Sequence, residues 1–183
     1  MTNFPRIILL VGVSGAGKST AQKILLEENP DWVNIVAHTT RGRRLGEVPG
    51  VDYNFVTPEV FETMKHRMVE HAHVHGNQYG LHAAHFERII VNNLTGIKSI
   101  DYQGARTIQR LYGTKLVKII HIIVSKGHQR QRLIDRGTDS LDVIEQRLAK
   151  ADEERIECEK IAYVNLQSDG TVQQMMDLIR SHL

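Results

Sequence analysis

The chain has 183 residues, 24% of them charged, a formal net charge of +2 and a single cysteine, Cys158. That near-neutral balance is not the footprint of a nucleic-acid binder, and one cysteine excludes an internal disulfide and suits a reducing compartment. No apolar run approaches the ~20 residues that span a bilayer, and no signal peptide is recognisable, so the expectation is a cytoplasmic protein of one domain, or one domain with a mobile insertion.

The chain opens with a continuous apolar run, Ile7-Ile8-Leu9-Leu10-Val11, which suits a strand buried on both faces. Gly12-Val13-Ser14-Gly15-Ala16-Gly17-Lys18-Ser19 follows, in the pattern G-x-x-x-x-G-K-S, and Ala21, Ile24 and Leu25 then recur at helical spacing. Strand, glycine loop and helix are the context in which this pattern binds a nucleoside triphosphate. Backbone N–H groups of Ser14 to Thr20 would cradle the phosphates at the positive end of the helix. Lys18 would draw the β- and γ-phosphates, and the Ser19 hydroxyl is the candidate ligand of a magnesium ion.

The first helix should end near Asn29-Pro30. Val33 to Ala37 reads as a second strand, and residues 39–50, rich in charge, glycine and proline, as a loop carrying Arg41, Arg43 and Arg44. A short strand is expected over Val51 to Val56, then a helix over Pro58 to Met68 capped by Thr57. Val69 to Tyr79 reads as a strand pair turning at Gly76-Asn77, and Ala83 to Asn93 as a helix with Phe86, Ile89 and Ile90 on one face. Gly96 to Asp101 and Leu116 to Val124 read as strands around a helix over Ala105 to Tyr112. Lys126 to Lys160 is a charged helical stretch interrupted at Arg136-Gly137-Thr138-Asp139, without a continuous apolar face, so part of it should project. A strand over Ala162 to Leu166 and a helix from Val172 to Leu178 close the chain.

Strands alternating with helices imply an α/β fold around a mostly parallel central sheet, with ligands beyond the carboxyl ends of the strands. The glycine loop, the arginine loop and Asp101 all fall there. Arginine forks bind phosphate oxygens in pairs, so beside the phosphate loop the second loop is a candidate second phosphate site; taken by itself it reads rather as a solvated basic loop.

The phosphate loop, then His38-Thr39-Thr40-Arg41-x-x-Arg44-x-Gly46-Glu47-x-x-Gly50-x-Asp52-Tyr53-x-Phe55-Val56, resembles the guanylate kinase family. So do Glu70 followed by His75-Gly76-Asn77-x-Tyr79-Gly80, Ile100-Asp101-x-Gln103-Gly104, and Arg136-Gly137-Thr138 with Arg147 beyond. The resemblance runs from residue 7 to about residue 150 and weakens after that. It implies a P-loop three-layer fold with a core (1–37, 91–125, 161–183), a small mixed acceptor-binding subdomain (38–90) and a helical lid (about 126–160). It implies magnesium-dependent transfer of the ATP γ-phosphate to GMP or dGMP, in a monomer or homodimer that engages neither nucleic acid nor membrane. Arg41, Arg44, Tyr53 and Tyr79 would hold the acceptor phosphate; Glu70 would accept from guanine N1–H and the 2-amino group, with Asp101 at that edge. Lys18, Arg41, Arg136 and Arg147 would be catalytic, and Arg132 would also meet ATP.

The sequence departs from the family pattern at four places. Ala37 and Leu81 stand where the family usually has hydroxyl residues against guanine, and Ser99 replaces the first aspartate of Asp-x-Asp. The asparagine near the adenine is matched by Gln167, or shifted to Asn165. The alternatives are therefore a kinase for a different or 6-modified purine monophosphate, or a non-catalytic domain of this type that binds phosphorylated partners. Alternation of His71, His73 and His75, with His82 and His85 nearby, raises a metal site as an option, against the plainer reading of a strand beside a wet cleft. Gln129-Arg130-Gln131-Arg132 lacks interleaved aromatics and reads as a lid face, with Arg132 turned toward phosphate.

Overall fold

A computed structural model describes residues 6–74 and 76–183, so His75 and its part in the histidine alternation lie outside the described residues. The apolar runs form one parallel sheet in the order β2-β7-β1-β8-β9. Its strands are β1 (Ile7–Val11), β2 (Trp32–Asn34), β7 (Thr95–Ser99), β8 (Val117–Ile123) and β9 (Val164–Gln167). Every side chain of the central β1 is buried, as its unbroken apolar run requires. Helices α1 (Lys18–Glu28) and α7 (Val172–Arg180) cover one face, packing Ala21, Leu25 and Met176 on Ile8, Leu10 and Ile97. Helices α3 (Ala83–Val91) and α4 (Tyr102–Tyr112) cover the other, with Phe86, Ile89 and Ile108 on Ile7 and Leu9.

The Val33–Ala37 run is not one strand. The Ile35 amide makes the last link to the parallel sheet, to the Ile97 carbonyl at 3.1 Å. Ala37 already belongs to β3 (Ala37–Thr39) of a second sheet, whose order is β4-β3-β6-β5. An apolar run reports burial, not which partner a strand pairs with, so the change of sheet leaves no mark in the pattern. The expected boundary after residue 37 thus falls inside β3. This second, mixed sheet is completed by β4 (Tyr53–Phe55) and the hairpin of β5 (Met68–Val74) and β6 (Asn77–His82).

The helix after Thr57 is shorter than its sequence suggests. α2 (Pro58–Met64) gives way to a 3-10 turn over Lys65–Arg67, while the Thr57 hydroxyl caps it by accepting from the Val60 amide at 3.3 Å. Ile90, expected on the apolar face of α3, is 40% exposed; Phe86 and Ile89 alone carry that face. The charged stretch becomes α5 (Lys126–Arg136) and α6 (Leu141–Ile161). On α6 the buried residues are Ile144, Ala151 and Cys158, a seven-residue repeat that draws a narrow seam. α5 lies against the phosphate loop through buried Gln129 and Leu133.

Candidate active site

Between the two sheets and α5–α6 lies a cleft of about 1390 Å³. Its donor end is built by the glycine loop. Gly12 has φ +141°, and a Cβ there would come within 2.4 Å of the Ile122 carbonyl oxygen, so only glycine lets the chain leave β1 so close to β8. Ser14, Gly15, Gly17, Lys18, Ser19 and Thr20 line the cleft, and Ala16 is buried beneath them. The Lys18 ammonium donates to the carbonyls of Gly12 at 2.6 Å and Val13 at 3.0 Å. Burial holds its pKa below the ordinary lysine value, with Glu154, Cys158 and Asp101 pulling the other way.

The lid helices hold this loop from outside. Gln129 donates to the Ser14 carbonyl at 3.1 Å, a contact the sequence did not suggest. Arg132 reaches the carbonyls of Gly15 at 3.4 Å, Ala16 at 3.3 Å and Ser168 at 2.8 Å. Arg147 donates to the Ser14 hydroxyl at 2.9 Å and to Asp139 at 3.2 Å, and Arg136 pairs with the other oxygen of Asp139. One carboxylate in the α5–α6 turn therefore gathers both arginines.

At the acceptor end, Arg41, Arg44, Tyr53 and Tyr79 all line the cleft. Glu47 sets the arginine loop: one oxygen takes the Arg41 guanidinium at 2.6 Å and the other the Arg44 amide at 2.8 Å. Arg41 lies 5.4 Å from the Tyr53 ring centroid, and the Tyr53 and Tyr79 rings meet edge-on at 6.0 Å. Burial, with Tyr79 adding to it, pushes the Tyr53 phenol above its ordinary pKa, so its hydroxyl stays a donor. The buried Thr39 hydroxyl bridges the Gln78 carbonyl at 2.9 Å and the Arg41 amide at 3.1 Å, which anchors the loop to β6.

Glu70, Ala37, Leu81 and Asp101 come together beside this shell. Glu70 is 7% exposed; burial, reinforced by the charge of Asp101, pushes its pKa up to about 8. Its carboxyl rests on Gly104, where a Cβ would come within 3.0 Å of the Glu70 Cδ. Asp101 also caps α4, accepting from the amides of Gln103 at 2.8 Å and Gly104 at 3.0 Å.

Some expected residues lie elsewhere. Gln167 is exposed, donates to Asp169 at 2.5 Å and does not line the cleft. Asn165 pairs with His121 at 2.7 Å. The cleft is lined instead by Ser168, 2% exposed, whose hydroxyl has no partner among the described residues. Lys98, buried in β7 and open to the cleft, was not singled out in the sequence, because a lysine at the end of a strand carries no sign of pointing inward. Among the described residues, which leave out His75, no group of three or more His, Cys, Asp or Glu could hold a metal ion. The Ser19 hydroxyl, exposed in the first turn of α1, is a hard oxygen donor of the kind magnesium accepts alongside phosphate oxygens.

A phosphate loop at one end of a cleft, an arginine–tyrosine shell at the other and a helical pair of arginines above define a P-loop protein with the site of a nucleoside monophosphate kinase. The family model of guanylate kinase matches residues 4–182, and the chain belongs to that family. It is 35% identical to the guanylate kinase of Acinetobacter baylyi over 165 residues, covering 89% of this chain and 79% of that one. It is 39% identical to that of Vibrio parahaemolyticus over 160 residues, covering 85% and 77%. The crystal structure of guanylate kinase from Anaplasma phagocytophilum superposes with a TM-score of 0.79 at 27% identity, over 100% of this chain and 86% of that one. Among the described residues no helix is long and apolar enough to cross a membrane.

Proposed function

We propose that this chain transfers the γ-phosphate of ATP to GMP or dGMP, giving ADP and the guanosine diphosphate. The observation that carries the reading is that Lys18 and the Arg41–Arg44–Tyr53–Tyr79 shell open onto one cleft, with Glu70 beside the shell. One end is built for a triphosphate and the other for a monophosphate whose base offers donors to a carboxylate. The division into core (1–37, 91–125, 161–183), acceptor subdomain (38–90) and lid (126–160) belongs to the same reading, as do the roles of the individual residues.

An oxygen of the acceptor phosphate attacks the γ-phosphorus in line, and the bond to the β,γ-bridging oxygen breaks as ADP leaves. Arg41, Arg44, Tyr53 and Tyr79 hold the acceptor dianion; Glu70 accepts from guanine N1–H and the 2-amino group. Lys18 exchanges the Gly12 and Val13 carbonyls for β- and γ-phosphate oxygens. Arg136 and Arg147 leave Asp139 for the transferring group and neutralise the charge that spreads over it. Ser19, together with the ATP phosphates, would hold a magnesium ion, which would supply charge neutralisation to the transferring group. Ser168 and the loop before α7 face the adenosine end. The test is a panel of nucleoside monophosphates with ATP and magnesium: GMP and dGMP should be turned over well above AMP, CMP and UMP. Faster turnover of another monophosphate would overturn the reading.

A further inference from the structure

The donor end of the cleft holds a flat cation whose edge is already occupied. Arg132 lines the cleft from α5, and its terminal nitrogens donate to the carbonyls of Gly15 at 3.4 Å, Ala16 at 3.3 Å and Ser168 at 2.8 Å. The N–H groups of a guanidinium point outward in its own plane, so bonds to the loop on one side and to Ser168 on the other fix its tilt. What it keeps for a ligand is its charged face.

The surroundings of Arg132 show which part of a nucleotide meets that face. A Cβ at Gly17 would come within 3.1 Å of the Met175 sulfur and 3.9 Å of an Arg132 nitrogen, so both side chains stand beside the triphosphate loop. Met175 packs on the α1 face of the parallel sheet, whereas Ala37, Leu81 and Tyr53 pack on the opposite face. A triphosphate that turns its γ-phosphate toward the acceptor shell therefore carries its base toward Arg132 and Met175.

Among the described residues this patch has no side chain free to read the edge of that base. The two residues that could stand for the family's asparagine near the adenine are engaged elsewhere: Gln167 donates to Asp169, and Asn165 pairs with His121. The Ser168 hydroxyl is buried, and its carbonyl is taken by Arg132. The Thr171 hydroxyl accepts from the Gln174 amide while the Gln174 side chain accepts from the Thr171 amide, which closes that pair on itself. Gly170, Val172 and Met175 complete the lining without a polar side chain.

We infer that the donor base is recognised by its plane, stacked on the Arg132 guanidinium, and not by its edge, so that GTP serves as donor beside ATP. The inference rests on the proposed kinase reaction and widens its donor class. With GTP the bonds made and broken are the same. An oxygen of the GMP phosphate bonds to the γ-phosphorus, the bond to the β,γ-bridging oxygen breaks, and both products are GDP. A cation on a π-face is indifferent to the base, because every base has such a face. A site that hydrogen-bonded the edge would instead reject the wrong base by roughly 10,000-fold.

The experiment compares ATP, GTP and ribose 5′-triphosphate, which has no base, as donors to GMP with magnesium. With the γ-phosphate labelled, transfer appears as label in the β-position of GDP. In the wild-type chain ATP and GTP should agree in kcat/KM within about tenfold, and ribose 5′-triphosphate should fall roughly 10- to 100-fold below both. Arg132→Lys keeps the charge and loses the plane. It should cost ATP and GTP alike roughly 10- to 100-fold, chiefly in KM, and ribose 5′-triphosphate little. A wild-type preference for ATP beyond that margin would overturn the inference, and this comparison needs no variant to fold. An equal loss with all three donors would overturn it as well, since damage to the loop does not depend on a base. A wild-type chain inert with ATP and GMP would sink the proposed function and the inference together; turnover with ATP while GTP is refused sinks the inference alone.

Discussion

Glu70 is a buried acid whose charge decides what it can recognise. In the free protein burial raises its pKa to about 8, so near neutral pH it holds a proton. In the proposed reading guanine N1–H and the 2-amino group meet the Glu70 carboxylate, so acceptor binding would expel that proton. Affinity for GMP should therefore rise as pH climbs from 6.5 to 8, at up to tenfold per unit, and the slope should vanish in Glu70→Gln. That variant should also lose roughly 100- to 10,000-fold in kcat/KM for GMP, because two charge-assisted bonds are weakened. Isothermal titration across pH, beside steady-state kinetics, measures both. The same shift governs the stability of the unliganded chain. Unfolded, the carboxyl ionises near 4.5; folded, it keeps its proton to about 8, so between those values the native state binds more protons. Stability must then fall as pH rises from 5 to 8, and denaturant titrations of Glu70→Gln should show a flatter profile. Arg41 and Arg44 stand out in the sequence as a basic loop directly after a strand, and Glu70 is marked only by the family resemblance; all three line the cleft. The sequence did not show that Lys98 and Ser168 line the cleft while Gln167 does not, because which way a side chain turns at a strand end is settled by packing from elsewhere in the chain.

At the scale of elements, α5 and α6 join the two arginines of the lid to the donor loop. Arg147 spans Asp139 and the Ser14 hydroxyl, and the Asp139 side chain, 8% exposed, is the shared counter-ion of Arg136 and Arg147. Removing an arginine that acts on the transferring phosphoryl group costs far more in kcat than in binding. Arg147→Met should lower kcat by roughly 100- to 1000-fold, with KM for GMP changed only a few-fold, in single-turnover assays. Loss of KM alone would place Arg147 in substrate binding. The elements themselves were largely readable: the phosphate loop between β1 and α1, the hairpin turn, and the break between α5 and α6 follow from glycine placement and apolar spacing. The division of Val33–Ala37 between two sheets was not, because it depends on pairing with chain well beyond the run itself, Trp32 with Thr95 across β2–β7 and Ala37 with Tyr53 across β3–β4.

At the scale of the molecule, the cleft is a single space with a group of cations at each end. Lys18, Arg132, Arg136 and Arg147 converge from the parallel sheet and the lid, while Arg41 and Arg44 converge from the mixed sheet. Such a site works by bringing two polyanions to one line, which neither sheet could do alone. A ligand carrying adenosine and guanosine joined through their 5′ positions by a chain of phosphates should then occupy both ends at once. Tethering makes the second contact intramolecular, so its affinity should exceed that of ATP or GMP alone by about 100-fold or more, provided the phosphate chain spans the gap. It should compete with both ATP and GMP in initial-rate experiments, and raise the thermal midpoint more than either nucleotide at equal concentration. Shortening the phosphate chain should abolish the gain once the tether no longer reaches from the Lys18 loop to the Arg41–Tyr79 shell. Competition with ATP only, at every tether length, would mean that the two phosphate sites never face one another, and that the arginine loop after β3 serves something other than the acceptor.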